Sequence, residues 1–232
     1  MAQNLLQVVE ILSPSVDRIA PFCEYFEVCG GCSLQNMLPD AQLLHKETVL
    51  KEQYAHFGQV EVQHWLEPIK SASKAYRSKA RLGVYFDSSV NKTVIGFREK
   101  QTKRLVDIQA CPILDESIAR LVPHLHELVD TLAESKAITH IELANSDDQQ
   151  AVVIRHIKAI SKPGIQRLQA FAEKYSVRIY LQAEAGQQAE PLDNNASELG
   201  YSISALDAQG NKLKTLTLAF HPQDFTQVND SV

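Results

Sequence analysis

Four cysteines carry the chemistry most legible in this 232-residue chain: Cys23, Cys29, Cys32 and Cys111. The first three read C-x5-C-G-G-C, and the fourth follows after 78 intervening residues, in the phrase QACPI. Three clustered thiols and one remote thiol make a set of four soft ligands. Gly30 and Gly31 suit a tight turn that aims thiolates and amides at one centre. The Cys111–Pro112 step has the form that closes iron–sulfur ligand runs. Structural zinc is generally held by two Cys-x2-4-Cys pairs, and here only Cys29 and Cys32 form one. The spacing favours a [4Fe-4S] cluster, with zinc as the alternative. Unconnected buried cysteines are the bland reading, which three cysteines within ten positions around a Gly-Gly argue against. Disulfides belong to oxidising compartments. The first residues, MAQNLLQVVEIL, lack the charged-then-apolar layout of an export signal, so a cytoplasmic setting is expected.

Charge supplies the second signal. The chain has 23 Lys+Arg and 28 Asp+Glu, a net charge of −5, which taken alone argues against a nucleic-acid partner. The average hides a concentration. Between Lys70 and Arg104 there are ten bases and two acids, a local +8. Tyr76, Tyr85, Phe86 and Phe97 are interleaved with them. Such a stretch in an otherwise acidic protein suggests a polyanion-facing surface. The competing reading is a solvated strand face whose lysines discourage edge-to-edge aggregation.

The elements that must position these residues follow from periodicity. Residues 3–12 read as a strand and 13–21 as a Pro-bounded connector. Leu43, Leu50, Tyr54 and Phe57 recur at helical spacing over 38–57, with Pro39 in the first turn and Gly58 as a stop. Strands are predicted at 79–88 and 92–99, joined as a hairpin, and a third at 104–109 delivers Cys111. A helix is predicted through Ile118, Leu121, Leu125, Leu128 and Leu132, with Pro123 limiting its first turn. Strands follow at 138–144 and 150–156, a helix at 163–175 and a strand at 177–183. A polar loop over 186–198 leads to short strands at 199–205 and 213–219. Strands outnumber helices and several are adjacent. This predicts an α+β fold: a mostly antiparallel sheet with flanking helices and a cluster-binding loop near the N-terminus. No run of about 18 apolar residues is present, so no membrane-spanning helix is expected.

Several chemistries leave no trace. There is no G-x-G-x-x-G after a strand and no Walker loop. His45, His56, His124 and His126 fall on predicted helices without paired ligand spacing and read as surface or satisfied core residues.

The segments CEYFEVCGGCSLQ, YRSKARLGV, GFREK, QACPI and HPQDFTQVN, in that order, resemble one family, the iron–sulfur 23S rRNA (uracil-5-)-methyltransferases. The match runs from about residue 8 to the last residue. The resemblance implies three units in family members: a TRAM barrel, a central cluster-bearing domain and a domain that binds S-adenosylmethionine. In this chain residues 1–20 would be the last TRAM strand and a connector. Residues 21–35 and 67–222 would form the central RNA-binding domain. Residues 36–66 would be a helical segment that packs on the methyltransferase domain, and 223–232 the threshold of that domain. The chain is thus expected to be a fragment, with the catalytic cysteine and base beyond Val232 and no methyl transfer of its own.

The resemblance also assigns residues. Cys23, Cys29, Cys32 and Cys111 become the cluster ligands. Gln227 matches a residue that contacts S-adenosylmethionine, and Phe225 one near the flipped target base, where an aromatic face can stack. Arg81 matches an arginine at the RNA-facing site, flanked by Arg77 and Lys79; the planar arginine fork both stacks and binds phosphate. The implied partner is 23S ribosomal RNA, bound by a monomer. The alternatives are a zinc-stabilised RNA-binding module and a ferredoxin-like electron carrier.

Overall fold

A computed structural model describes residues 8–183, 186–193, 198–207, 209–226 and 229. Two compact units divide the chain: residues 1–26 with 32–68, and residues 27–31 with 69–232.

The first unit is built around one helix. Pro39 opens α1 (Pro39–Gln53), where a missing N–H is no loss. Asp40 lies in the first turn and Lys51 in the last, both favourable to the helix dipole. Lys51 pairs with Glu47 one turn back at 2.5 Å. The helix buries none of its residues and runs into a π-helical turn, Tyr54–Gly58. The stop expected at Gly58 falls one residue later, where Gln59 takes the left-handed conformation with φ 50°. Trp65 sits edge-on to Tyr54 and under the Lys51 ammonium. Among the described residues of this unit, Phe26 and Gln35 are the buried side chains. Residues 8–12 of the predicted first strand are not in a strand, and residues 1–7 lie outside the described residues.

The second unit holds a seven-stranded sheet of order β3-β2-β1-β4-β5-β6-β7. Its strands are β1 (Lys79–Asp87), β2 (Lys92–Arg98), β3 (Leu105–Asp107), β4 (Ile138–Asn145), β5 (Gln150–His156), β6 (Val177–Gln182) and β7 (Glu190–Pro191). Period-two burial shows why β1 forms: Ala80, Leu82 and Val84 are buried while Arg81 and Tyr85 face water. The Asp87 carboxylate accepts from the Ser89 amide in the β1–β2 turn. Asn91 closes that turn with φ 52°, a conformation asparagine tolerates. Every neighbouring pair is antiparallel except β5–β6. A parallel pair needs a crossover, and helix α4 (Lys162–Tyr175) provides it. Ser161 caps that helix by accepting from the Gly164 amide, and Ser176 ends it in the left-handed conformation. The sheet is therefore mostly antiparallel and the fold α+β, as predicted.

One face of the sheet carries the core. Leu82, Ile95, Ile141, Leu143 and Ile154 are fully buried, as are Ile118, Leu125 and Leu168 from the helices and Leu121 from the turn between two of them. Each such side chain contributes about 1.5–3 kcal/mol. The single helix expected through Ile118 and Leu132 is two, α2 (Glu116–Ala119) and α3 (Val122–Asp130). Pro123 lies in the first turn of α3, a position the ring tolerates only at a helix start. Asp107 fastens α3 to the sheet: it meets His126 at 2.5 Å and Lys92 at 2.7 Å, and accepts from the Ile95 amide. His126 is thus a satisfied partner, as its helical position suggested.

The opposite face is half covered. Ala144, Ala151, Val153 and Tyr180 pack with Ala189, Leu199 and Phe220. Leu199 and Phe220 are the root of a hairpin, β8 (Leu199–Leu206) and β9 (Lys212–Phe220). Farther out the hairpin exposes Ile203, Leu206, Leu213, Leu216 and Leu218. Among the described residues this face is open over β1 from Arg81 onward, β2 and the start of β4. Among the described residues no helix is long and apolar enough to cross a membrane.

Candidate nucleic-acid interface

The open half-face is a groove of about 1150 Å³. Its lining follows from strand parity. Gly83 pairs with Gly96 and with His140, and His140 pairs with Arg155. Two residues from this row, Arg81 lies opposite Glu142. On the far side Tyr85 pairs with Val94. Arg98, Lys103 and Arg104 complete the basic rim. The glycines are needed: a Cβ on Gly96 would collide with the Val106 carbonyl, and one on Gly83 would sit 2.8 Å from Leu105. Leu105 takes that space and lines the groove.

Cations outnumber acids along the groove, and two of them are ion-paired. Arg81 lies 3.5 Å from Glu142, with 53% of its side chain exposed. Arg104 grips Glu99 with two nitrogens at 2.7 and 3.1 Å. The Arg155 Nε is buried without a hydrogen-bond partner among the described residues. Burial pushes the His140 imidazole below its ordinary pKa, and Arg81, Arg155 and Arg98 push it the same way. It is neutral at pH 7 in a field of three guanidinium groups. Tyr85 is 58% exposed.

The predicted RNA residues are not equally available. Arg81 lines the groove. Arg77 donates through Nε to the Lys79 carbonyl, and its backbone bridges to Leu114 and Asn229. Lys79 is half-buried and donates to the Asp224 carbonyl at 2.7 Å. Burial lowers its pKa, against the pull of Glu142 and Asp224. Lys79 therefore tethers the HPQDF segment beside β1, and Phe225 stands there 93% exposed. Gln227 lies outside the described residues. His140 escaped the sequence reading because it comes from β4, more than 30 residues past the basic stretch. Its signal was present: a polar residue inside a strand that otherwise read as core.

The cysteines sit in ordered turns. Val28–Gly30 lies along residues 98–100: Gly30 donates to the Arg98 carbonyl at 2.8 Å and Lys100 to the Val28 carbonyl at 2.9 Å. A Cβ on Gly30 would stand 2.9 Å from that Arg98 oxygen, which explains the glycine. The Gly31 amide donates to Cys29 Sγ at 3.4 Å. Cys111 heads a turn closed by the Leu114 amide, and Cys23 one closed by the Phe26 amide. All four cysteines are partly exposed and none is in a disulfide. Among the described residues no three His, Cys, Asp or Glu side chains form a metal-binding group. The fit to a cluster is therefore one of donor chemistry: four reduced thiols, one already accepting an amide hydrogen bond of the kind that tunes cluster sulfurs.

The chain is homologous over nearly its whole length to proteins of one function. It is 37% identical over 229 residues, 97% of the chain, to the 23S rRNA (uracil(1939)-C(5))-methyltransferase RlmD of Acinetobacter baylyi. It is also 37% identical to the RlmD protein of Hahella chejuensis over 98% of the chain. It covers 48% and 50% of those proteins, so the chain spans about half the length of the curated relatives it matches. The fold is similar to that of the Pyrococcus abyssi tRNA (uracil-54, C5)-methyltransferase, solved with S-adenosyl-L-homocysteine. The TM-score is 0.62 at 18% identity, covering 96% of this chain and 50% of that one. No family model matches the chain.

Proposed function

We propose that this chain is the central, RNA-binding part of a 23S rRNA (uracil-5-)-methyltransferase and that it holds rRNA on the open basic face of its sheet. The observation that carries this reading is the groove itself: cations and an exposed tyrosine on a sheet face, in a chain homologous to rRNA methyltransferases. Arg81, Arg98, Lys103 and Arg104 supply the phosphate contacts that set register and orientation. Lys79, by holding the Asp224 carbonyl, positions Phe225 beside β1, where an exposed aromatic can stack an extruded base. Residues 36–66 are proposed to pack on the methyltransferase domain, which gives a role to the exposed Leu44, Leu50 and Phe57. In such an enzyme S-adenosylmethionine supplies the methyl group for C5 of uracil, and Gln227 is proposed as one of its contacts.

Cys23, Cys29, Cys32 and Cys111 are proposed to hold a [4Fe-4S] cluster. When bound it would supply a clasp on the long segment between Cys32 and Cys111. Three features support the assignment: the C-x5-C-G-G-C spacing, the amide bond to Cys29 Sγ, and the Gly30 anchor that fixes this loop on the strand end bearing Arg98.

The test is anaerobic purification of the full chain, followed by metal analysis and binding to 23S rRNA fragments. About four irons per chain are expected, with rRNA affinity that falls steeply with salt. One zinc per chain and no iron would replace the cluster by a zinc centre. Affinity for heparin equal to that for rRNA would reduce the groove to a generic polyanion surface.

A further inference from the structure

We propose that the sheet groove is a subsite for one unpaired nucleotide of RNA, its phosphate held by Arg81 and Arg98 and its base stacked on Tyr85 above Leu105. This rests on the RNA reading above and goes further: it assigns residues in β2, β4 and the middle of β1, and specifies single-stranded RNA.

The geometry is a row and two flanks. Gly96, Gly83, His140 and Arg155 lie side by side on four adjacent strands, about 14 Å across. Arg81 flanks this row on one side and Tyr85 on the other, about 13 Å apart along β1. Between them Leu105 gives an apolar floor. A phosphate above the row meets the guanidinium groups of Arg81 and Arg98, which line the groove. His140 becomes a second donor on protonation. An aromatic ring beside a cationic strip is the arrangement by which proteins hold single strands, since every base has a stacking face. A duplex hides its bases in the stack and cannot offer one to Tyr85. An acidic peptide would satisfy the arginines but leave Tyr85 without a planar partner.

The test uses the full chain and fluorescence anisotropy with a short labelled oligouridine, a duplex of equal length and a 23S rRNA hairpin. The expected result is binding of oligouridine and hairpin ahead of duplex. Tyr85→Ala should weaken oligouridine binding about tenfold and Tyr85→Phe should retain it. Arg98→Ala should lower the salt slope by about 0.7. Tyr85 and Arg98 are exposed, and circular dichroism checks that both variants fold. Wild-type protein that binds oligouridine no more tightly than Tyr85→Ala, or that prefers duplex, overturns the subsite while leaving the RNA reading in place. Wild-type protein that binds none of the three RNAs overturns both.

Discussion

The Gly30 amide donates to the Arg98 carbonyl at 2.8 Å, so the cysteine loop and the basic groove share a residue. The Arg98 backbone receives the loop and its side chain lines the groove. Whatever orders the loop therefore orders one wall of the groove. This gives a cluster at the cysteines a physical route to RNA affinity that needs no electron transfer.

Gly30→Ala tests that relationship. The added methyl group would press against the Arg98 oxygen at 2.9 Å, an overpacking that costs about 1–3 kcal/mol. A Tm lower by several degrees is expected for a chain of this size, together with weaker RNA binding. Thermal melts and anisotropy on the same sample check both.

The core was largely legible in the sequence; the groove was only half so. Alternation in 79–88 and 92–99 located β1 and β2 within a residue of their ends, because one face of each is buried and the other is wet. The strands expected at 138–144 and 150–156 match β4 and β5 as well, although Ala151, Val152, Val153 and Ile154 of β5 are all buried. What alternation does not encode is which strands become neighbours. The β1–β4 pairing puts His140 and Glu142 beside Gly83 and Arg81, and the α4 crossover makes β5 and β6 parallel. Those contacts are set by packing across the whole sheet. The spacing of the cysteines suggested a ligand set, and the reason for Gly30 appeared only with the Arg98 carbonyl in place.

Leu82→Ala should destabilise the protein by about 2–5 kcal/mol. Leu82 is fully buried, in the middle of β1, and truncation leaves a cavity beneath the groove. Arg81→Ala, one residue away and half exposed, should change stability by less than about 1 kcal/mol and act on RNA binding instead. Urea denaturation separates the two.

His140 gives opposite pH dependences for folding and binding. Its folded pKa lies below 6.5, through burial and then through Arg81, Arg155 and Arg98. The unfolded chain therefore takes up the proton first as pH falls through 6.5, and stability present above that pH declines below it. A bound phosphate favours the protonated ring, so oligouridine binding should tighten over the same range. In His140→Gln the loss of stability below pH 6.5 should shrink and the tightening disappear. Denaturation and anisotropy at pH 5.5 to 7.5 would show it.

Asp107 works in the other direction. Burial raises its pKa, but bonds from Lys92, the Ile95 amide and His126 outweigh burial and hold it below 3.8. The stability it contributes is present above pH 3.8 and is lost as pH falls through the lower folded value. Asp107→Asn should destabilise the protein at pH 7 by about 1–3 kcal/mol and flatten its acid unfolding, as followed by circular dichroism.

The most direct measurement is the salt dependence of binding between the full chain and a 23S rRNA hairpin, for wild-type protein and for a variant with Arg81, Arg98 and Arg104 changed to Ala. Wild-type affinity should fall linearly on logarithmic axes, and the triple variant should bind at least tenfold more weakly with a slope shallower by about two. Equal affinities and equal slopes for the two proteins would contradict the claim that this sheet face holds RNA.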